Sequence, residues 1–448
     1  MRLAVPRSLG VLLVALSLVA CDDTTGGEGG NADATRFFLP TKAGDNTSAP
    51  ALALDASGNL HTVYPSYAGG GAYYTYCANG CQRADDLSLV RFETDGTVTN
   101  AMISLDAQGK PRVLLSAFAK VYYASCDSNC GSTNSWKVTP ILDHAGKKSV
   151  TGPAFALDSQ GRPRFLMHTY VAYLGVGQGA PVTEYVTCDA NCHDPSAWKA
   201  YRVAEQIWWH SELRLDAQNH PRVGTIARIV NASGGWIDYG TYIECLGDCT
   251  QASAWQGTTI LPSYADDNEA VSLQPSIALA LTSSGAPRIL MLARSTDHQK
   301  QLVYATCDSN CTTTQWNARL LSNNVKLQDG LDLALDAQNR PRLVYTLDYN
   351  ISYGSCDAAR CESNDATWDL KVVEGGEQMK KDEIFLYPNC TVGTWFLHAP
   401  SLVLTSDGAR VGYQARDVSG GWIKKDPNGP NCVAGTDMTW SRLAVFKP

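Results

Sequence analysis

The chain has 448 residues with 36 basic and 44 acidic side chains, a formal net charge of −8, and 18% charged against 44% hydrophobic residues. That balance excludes a disordered or collagen-like chain, and the lack of any basic run argues against a nucleic-acid partner. Fifteen cysteines is an odd number, so at least one has a different task from the rest.

Read from the first residue, Arg2 and Arg7 precede an apolar run from Leu9 to Ala20, too short to span a bilayer and ending in small residues. This is the pattern of a secretory signal, residues 1–20. The run stops at Leu18-Val19-Ala20-Cys21, which resembles the lipobox of bacterial lipoproteins. The resemblance implies that Cys21 receives the lipid and becomes the mature N-terminus, with the membrane as a partner through that anchor. The alternative is an ordinary signal peptide with a coincidental cysteine. Residues 21–35, rich in Gly, Asp and Thr, have the composition of a flexible tether. An exported protein on a membrane, in the periplasm or at the cell surface, is the expected address.

Residues 36–448 form the folded part. Arg36-Phe37-Phe38-Leu39-Pro40 reads as a strand ahead of the first repeat; both it and Trp440 to Phe446 are candidates to close the last one. Between them one unit recurs seven times, with anchors at Asp55, Asp106, Asp158, Asp216, Thr282, Asp336 and Thr405. Its clearest copies are Leu105-Asp106-Ala107-Gln108-Gly109-Lys110-Pro111-Arg112 and Leu335-Asp336-Ala337-Gln338-Asn339-Arg340-Pro341-Arg342. Each copy holds four strand-like pieces: an alternating run into the anchor, a run after Pro-Arg, a Tyr-containing run ending at a cysteine, and a run opening at a tryptophan. Four antiparallel strands per unit, seven times over, predict an all-β, seven-bladed β-propeller. A string of small β-domains or a pair of β-sandwiches competes, but a lone four-stranded sheet cannot bury both faces.

Six cysteine pairs fall in register after the third strand: Cys77 with Cys81, Cys126 with Cys130, Cys188 with Cys192, Cys245 with Cys249, Cys307 with Cys311, and Cys356 with Cys361. In an exported protein these are disulfides that staple hairpin ends. Metal thiolate sites are the competing reading, yet pairs in different blades cannot converge on one ion. Cys390 and Cys432 pair by elimination. No metal or cofactor motif occurs, so neither is expected.

The alternating strand, the Asp-x-x-Gly-x-Pro-Arg turn, the Tyr-rich third strand and the Trp-initiated fourth together resemble the BNR/sialidase-like propeller repeat over about residues 36–446. The family's Asp-box is absent; Cys307-Asp308-Ser309-Asn310-Cys311 leading to Trp316 stands in its place. Phe37-Phe38-Leu39-Pro40 puts Phe38 where sialidases carry an arginine, so no catalytic arginine triad transfers.

In an antiparallel blade the anchor turn and the cysteine turn share one face of the ring. The other face carries the loops of varying length, and function is expected there. On it fall Trp208, Trp209 and His210; Trp236, Asp238 and Tyr239; Trp395 and His398; and Trp422 and Lys424. Aromatics beside polar groups suit sugar rings or peptides, although the same tryptophans could simply pack the loops. His168, Glu184, Asp266 and Asp267 are the acid/base candidates. The expected function is a non-catalytic binding or scaffolding propeller for a glycan or protein ligand. The alternative is a glycoside hydrolase or polysaccharide lyase.

Overall fold

The computed structural model describes residues 34–447, apart from 43–44, 67–69, 79–80, 171–179, 231–235, 264–275, 377–378, 380–394, 418–421, 424–432 and 435–437. Cys21, Cys390, Cys432, Lys424, Asp266 and Asp267 therefore lie outside the described residues.

Seven antiparallel sheets follow one another in sequence, each of four strands running from an inner edge outward. Blade two is representative: Val98–Leu105, Pro111–Ala117, Lys120–Cys126 and Trp136–Asp143. In blade three the inner strand is broken into Lys148–Ser149 and Phe155–Leu157, both paired to Pro163–Thr169. The expected seven-bladed propeller is the observed fold.

The repeated residues hold each blade together in the same way. Asp106 accepts from the backbone N–H groups of Gln108 (3.0 Å) and Lys110 (2.9 Å), which fixes the tight turn, while Gly109 takes the positive φ there. Its other oxygen accepts from Arg112, whose guanidinium also reaches the Cys126 carbonyl (2.9 Å) and Asp127 (2.8 Å). One arginine thus ties the anchor turn to the disulfide loop, which proves that both lie on one face. Blades three and six repeat the arrangement through Asp158 with Arg164 and Asp336 with Arg342.

All six in-register cysteine pairs are disulfides, as expected. Cys77 is bonded to Cys81, Cys126 to Cys130, Cys188 to Cys192, Cys245 to Cys249, Cys307 to Cys311, and Cys356 to Cys361. Each bond closes the turn that follows its blade's third strand. The metal-thiolate alternative is therefore set aside for these twelve cysteines.

The tryptophan that opens each fourth strand joins neighbouring blades. Trp198 donates its indole N–H to the Cys192 carbonyl (2.9 Å) and sets its ring edge-on against Tyr123 of the preceding blade (5.5 Å). Trp136 on Tyr74, Trp255 on Tyr185, Trp316 on Tyr242 and Trp368 on Tyr304 do the same. Each tyrosine sits three residues before the first cysteine, so one spacing places both halves of the contact. The core is accordingly a set of layers between blades.

Both candidates for closing the ring belong to blade seven. Met438–Phe446 is its third strand, and Ala34–Phe38 is its outer strand, paired antiparallel from Ala34↔Phe446 to Phe38↔Arg442. The two ends of the described chain are thus neighbours in one sheet.

Candidate functional site

Toward the variable face, the inner strands break register. Shifts fall between Trp209 and Glu212, between Gln328 and Leu331, and between His398 and Ser401, with His210, Gly330 and Ala399 at positive φ. Two of these bulges press on glycine in a neighbouring blade or on the neighbour's backbone. A Cβ on Gly152 would meet the His210 carbonyl carbon at 2.7 Å, and one on Gly330 would meet the Ala399 nitrogen at 2.7 Å.

The bulges decide where the sequence-expected residues point. Trp208 and Trp209 do not form an exposed platform: they are 0% and 6% accessible, with Trp208 packed on Trp255 (5.7 Å). The extra residue of the bulge turns this end of the strand into the layer between blades. His210 is buried, its Nδ1 3.0 Å from Ser276 Oγ, and its backbone N–H donates to Thr151 Oγ1 (2.9 Å). Thr151 also meets His168 Nε2 at 2.8 Å. Burial holds the His168 pKa down at about 4, and nearby His210 pushes the same way. These histidines form a buried polar bridge across blades three to five.

Asp238 makes a two-pronged pair with Arg228, 2.9 Å on each arm, and the guanidinium lies over Trp209 at 5.5 Å. Tyr239 is half-buried beside it. Trp236 opens the third strand of blade four, Trp236–Cys245, and Trp422 lies in the short pair Trp422–Ile423 with Val433–Ala434. Trp395 is buried 5.6 Å from Trp440, and burial with the Arg416 charge keeps the His398 pKa at about 4. Glu184 is paired with Lys148 (2.5 Å). Blade four brings Trp209, His210, Asp238 and Tyr239 together; Trp395, His398 and Trp422 belong to blade seven.

Sequence reasoning missed the aromatics that do stand at this face. Tyr349 stacks on Phe396 with centroids 3.5 Å apart and planes 5° from parallel. Asp348 and Tyr349 form a two-residue hairpin turn at φ 51° and 58°, a conformation that Gly and Asn adopt easily and tyrosine does not. Phe118 stands 62% exposed on the corresponding turn of blade two, 6.5 Å from Tyr170. For Tyr349 the readable signal was a bulky residue in a turn that asks for glycine.

Sequence reasoning also missed the channel. A cavity of about 580 Å³ lies among the inner strands, bounded by bulge residues such as Gly152, Ala399 and Pro400 and by repeat leucines such as Leu54, Leu281 and Leu404. Its ionisable groups are Glu212, Arg214 and Asp332. Glu212 is fully buried, paired with Arg214 and accepting from the Leu279 N–H at 2.6 Å. Arg214 also donates to the Leu279 carbonyl (3.3 Å), while its side chain stays 48% accessible in the channel. Asp332 accepts from the N–H groups of Leu333 and Leu402, both at 2.7 Å. These side chains cap backbone groups that an inner-edge strand otherwise leaves unsatisfied. Burial, reinforced by the Glu212 charge and opposed by Arg214, pushes the Asp332 carboxyl up to about 7.

No family model matches the sequence, and no curated protein does. Solved structures match in shape. The polysaccharide lyase Uly1 aligns with a TM-score of 0.50 at 8% identity, over 89% of this chain and 90% of that one. An α-L-arabinanase from Penicillium chrysogenum, complexed with arabinobiose, aligns at 0.44 and 10% identity over 76% and 97%. A NanB sialidase variant from Streptococcus pneumoniae aligns at 0.41 and 11% over 90% and 70%. The likeness to the polysaccharide lyase shows the propeller fold alone.

Proposed function

We propose that this chain is an exported, lipid-anchored envelope protein whose propeller binds a glycan on its variable face without turning it over. The observation that carries the non-catalytic reading is that the described acid/base candidates of that face are committed elsewhere. His168 bridges Thr151 and the Thr169 carbonyl, and Glu184 is held in an ion pair, as is Asp238 of the binding set. The Tyr349–Phe396 stack and the exposed Phe118 supply surfaces on which sugar rings can stack.

Glycan-array binding by the full chain, with Phe118→Ala and Phe396→Ala variants, tests the ligand. Loss of at least tenfold in affinity without loss of folding supports the site; unchanged binding removes it. Cys21→Ser is expected to release the protein from membranes, and continued membrane partition would refute lipidation there.

A second reading, glycan hydrolysis or elimination, is favoured by one observation: a channel carboxyl near pKa 7 can hold and pass a proton at neutral pH. Product formation abolished by Asp332→Asn would establish it. Products undiminished in that variant would rule Asp332 out as the acid.

A further inference from the structure

The channel section between the bulges and the repeat leucines has a volume within the range of pockets that enclose small molecules. Its walls set aliphatic side chains, Leu54, Leu215, Leu281, Leu335 and Leu404 among them, beside a nearly equal share of polar surface. These five occupy the same repeat position, immediately before the anchor residue. Every blade carries leucine there, so the ring has an apolar girdle.

Into these walls the fold sets three ionisable side chains. Glu212 is answered by Arg214. Asp332 is answered by two backbone N–H groups, and among the described residues no cationic side chain comes within 4.0 Å of it. With both carboxylates ionised, the cavity holds one negative charge without a cationic partner in contact, which is costly in a partly apolar enclosure. An anion placed on Arg214 would add a second. A cation on Asp332 would bring the cavity to neutrality.

We propose that the channel is a binding site for a small aliphatic ammonium compound, its ammonium group on the Asp332 carboxylate and its alkyl body against the leucine girdle. The site lies inside the ring and does not depend on the glycan reading of the variable face.

The groups that face Asp332 set its pH dependence. Leu331 and Leu333 flank it on its own strand, Ala280 and Leu281 line the blade-five side, and Ser401 and Leu402 the blade-seven side. None of these titrates, which leaves Glu212 and Arg214 as the charges it feels. A bound ammonium favours the ionised carboxylate. Affinity therefore rises with pH through about 7, and binding near that pH releases a proton.

Calorimetric titration of the folded full chain with n-hexylammonium at pH 6 and pH 8 tests this, with n-hexanol and hexanoate as comparators. Expected are binding of the amine about tenfold tighter at pH 8, pH-independent weak binding of the alcohol, and no stronger binding of the acid. Asp332→Asn should erase the pH dependence. Leu281→Trp, which leaves all three charges in place, should block the amine by filling the cavity, and it serves if the first variant does not fold. No binding of the amine, equal affinity at the two pH values, preference for hexanoate, or full binding by Leu281→Trp would each overturn the proposal.

Discussion

Glu374 and Arg442 form the buried charge pair on which ring closure turns. Glu374 ends the outer strand of blade six, Asp369–Glu374, and Arg442 lies in the third strand of blade seven. Each is 1% accessible. Arg442 donates to both carboxylate oxygens, at 2.6 and 2.7 Å, and Tyr413 donates a third bond at 2.5 Å. The same guanidinium lies over the Phe38 ring at 4.8 Å, and Phe38 is the register partner of Arg442 on the closing strand. Glu374→Ala removes the carboxylate that accepts two hydrogen bonds from the buried Arg442 guanidinium. Removing one partner of such a pair costs about 3–5 kcal/mol, far above the ~0–1 kcal/mol of an exposed pair. The double variant Glu374→Leu with Arg442→Met should recover part of that loss, because it removes the most buried charge along with its partner while Arg36, 4.0 Å from Glu374, keeps its bond to the Val373 carbonyl. Urea unfolding with the disulfides intact measures both, and amide exchange at Ala34–Phe38 reports whether the closing strand loosens first. A loss below about 1 kcal/mol for Glu374→Ala, on the scale of an exposed pair, would refute the reasoning. So would a double variant less stable than the single one.

Trp198→Phe keeps an inter-blade ring but deletes the bond to the Cys192 carbonyl; the expected loss is about 1 kcal/mol, against about 3–5 kcal/mol for Trp198→Ala, both read from unfolding curves. Replacing Cys188 and Cys192 together by serine should cost about 2 kcal/mol, the chain-entropy value for so short a loop, and a neutral result would show that the hairpin is already fixed by its hydrogen bonds. The His168 pKa is depressed from 6.5 to about 4 in the fold, so the neutral ring is the folded form. Its contribution is intact above pH 6.5 and is lost as pH falls toward 4, by up to about 1.4 kcal/mol per pH unit; His168→Asn should flatten stability measured across that window.

The scaffold was legible because it is written seven times. Leu-Asp-x-x-Gly/Asn-x-Pro-Arg names a turn and the arginine that locks it, and the Tyr-to-Cys spacing places the tryptophan contact. Trp208 and Trp209 misled because exposure depends on a bulge: one added residue at His210 turns the end of a strand inward, and composition carries no mark of it. Glu212 and Asp332 went unseen for a different reason. They are far apart in sequence and meet only because the ring brings inner strands of blades four and six to one channel. Four residues before the anchors, however, the copies read Ala51, Met102, Ala154, Glu212, Ala278, Asp332 and Ser401. Aligning the repeats at that position exposes two acids where the repeat otherwise holds apolar or small residues.

The pairing of Ala34–Phe38 with Met438–Phe446 also orders events in time. Ala34–Phe38 is made well before its partner Met438–Phe446, so the ring stays open until that distant strand has been made. Until then blade seven offers an unpaired edge, and the closing contact carries the largest loop-closure cost in the molecule. The six local staples then work as early, independent fasteners, each closing within its own hairpin well before the circle does.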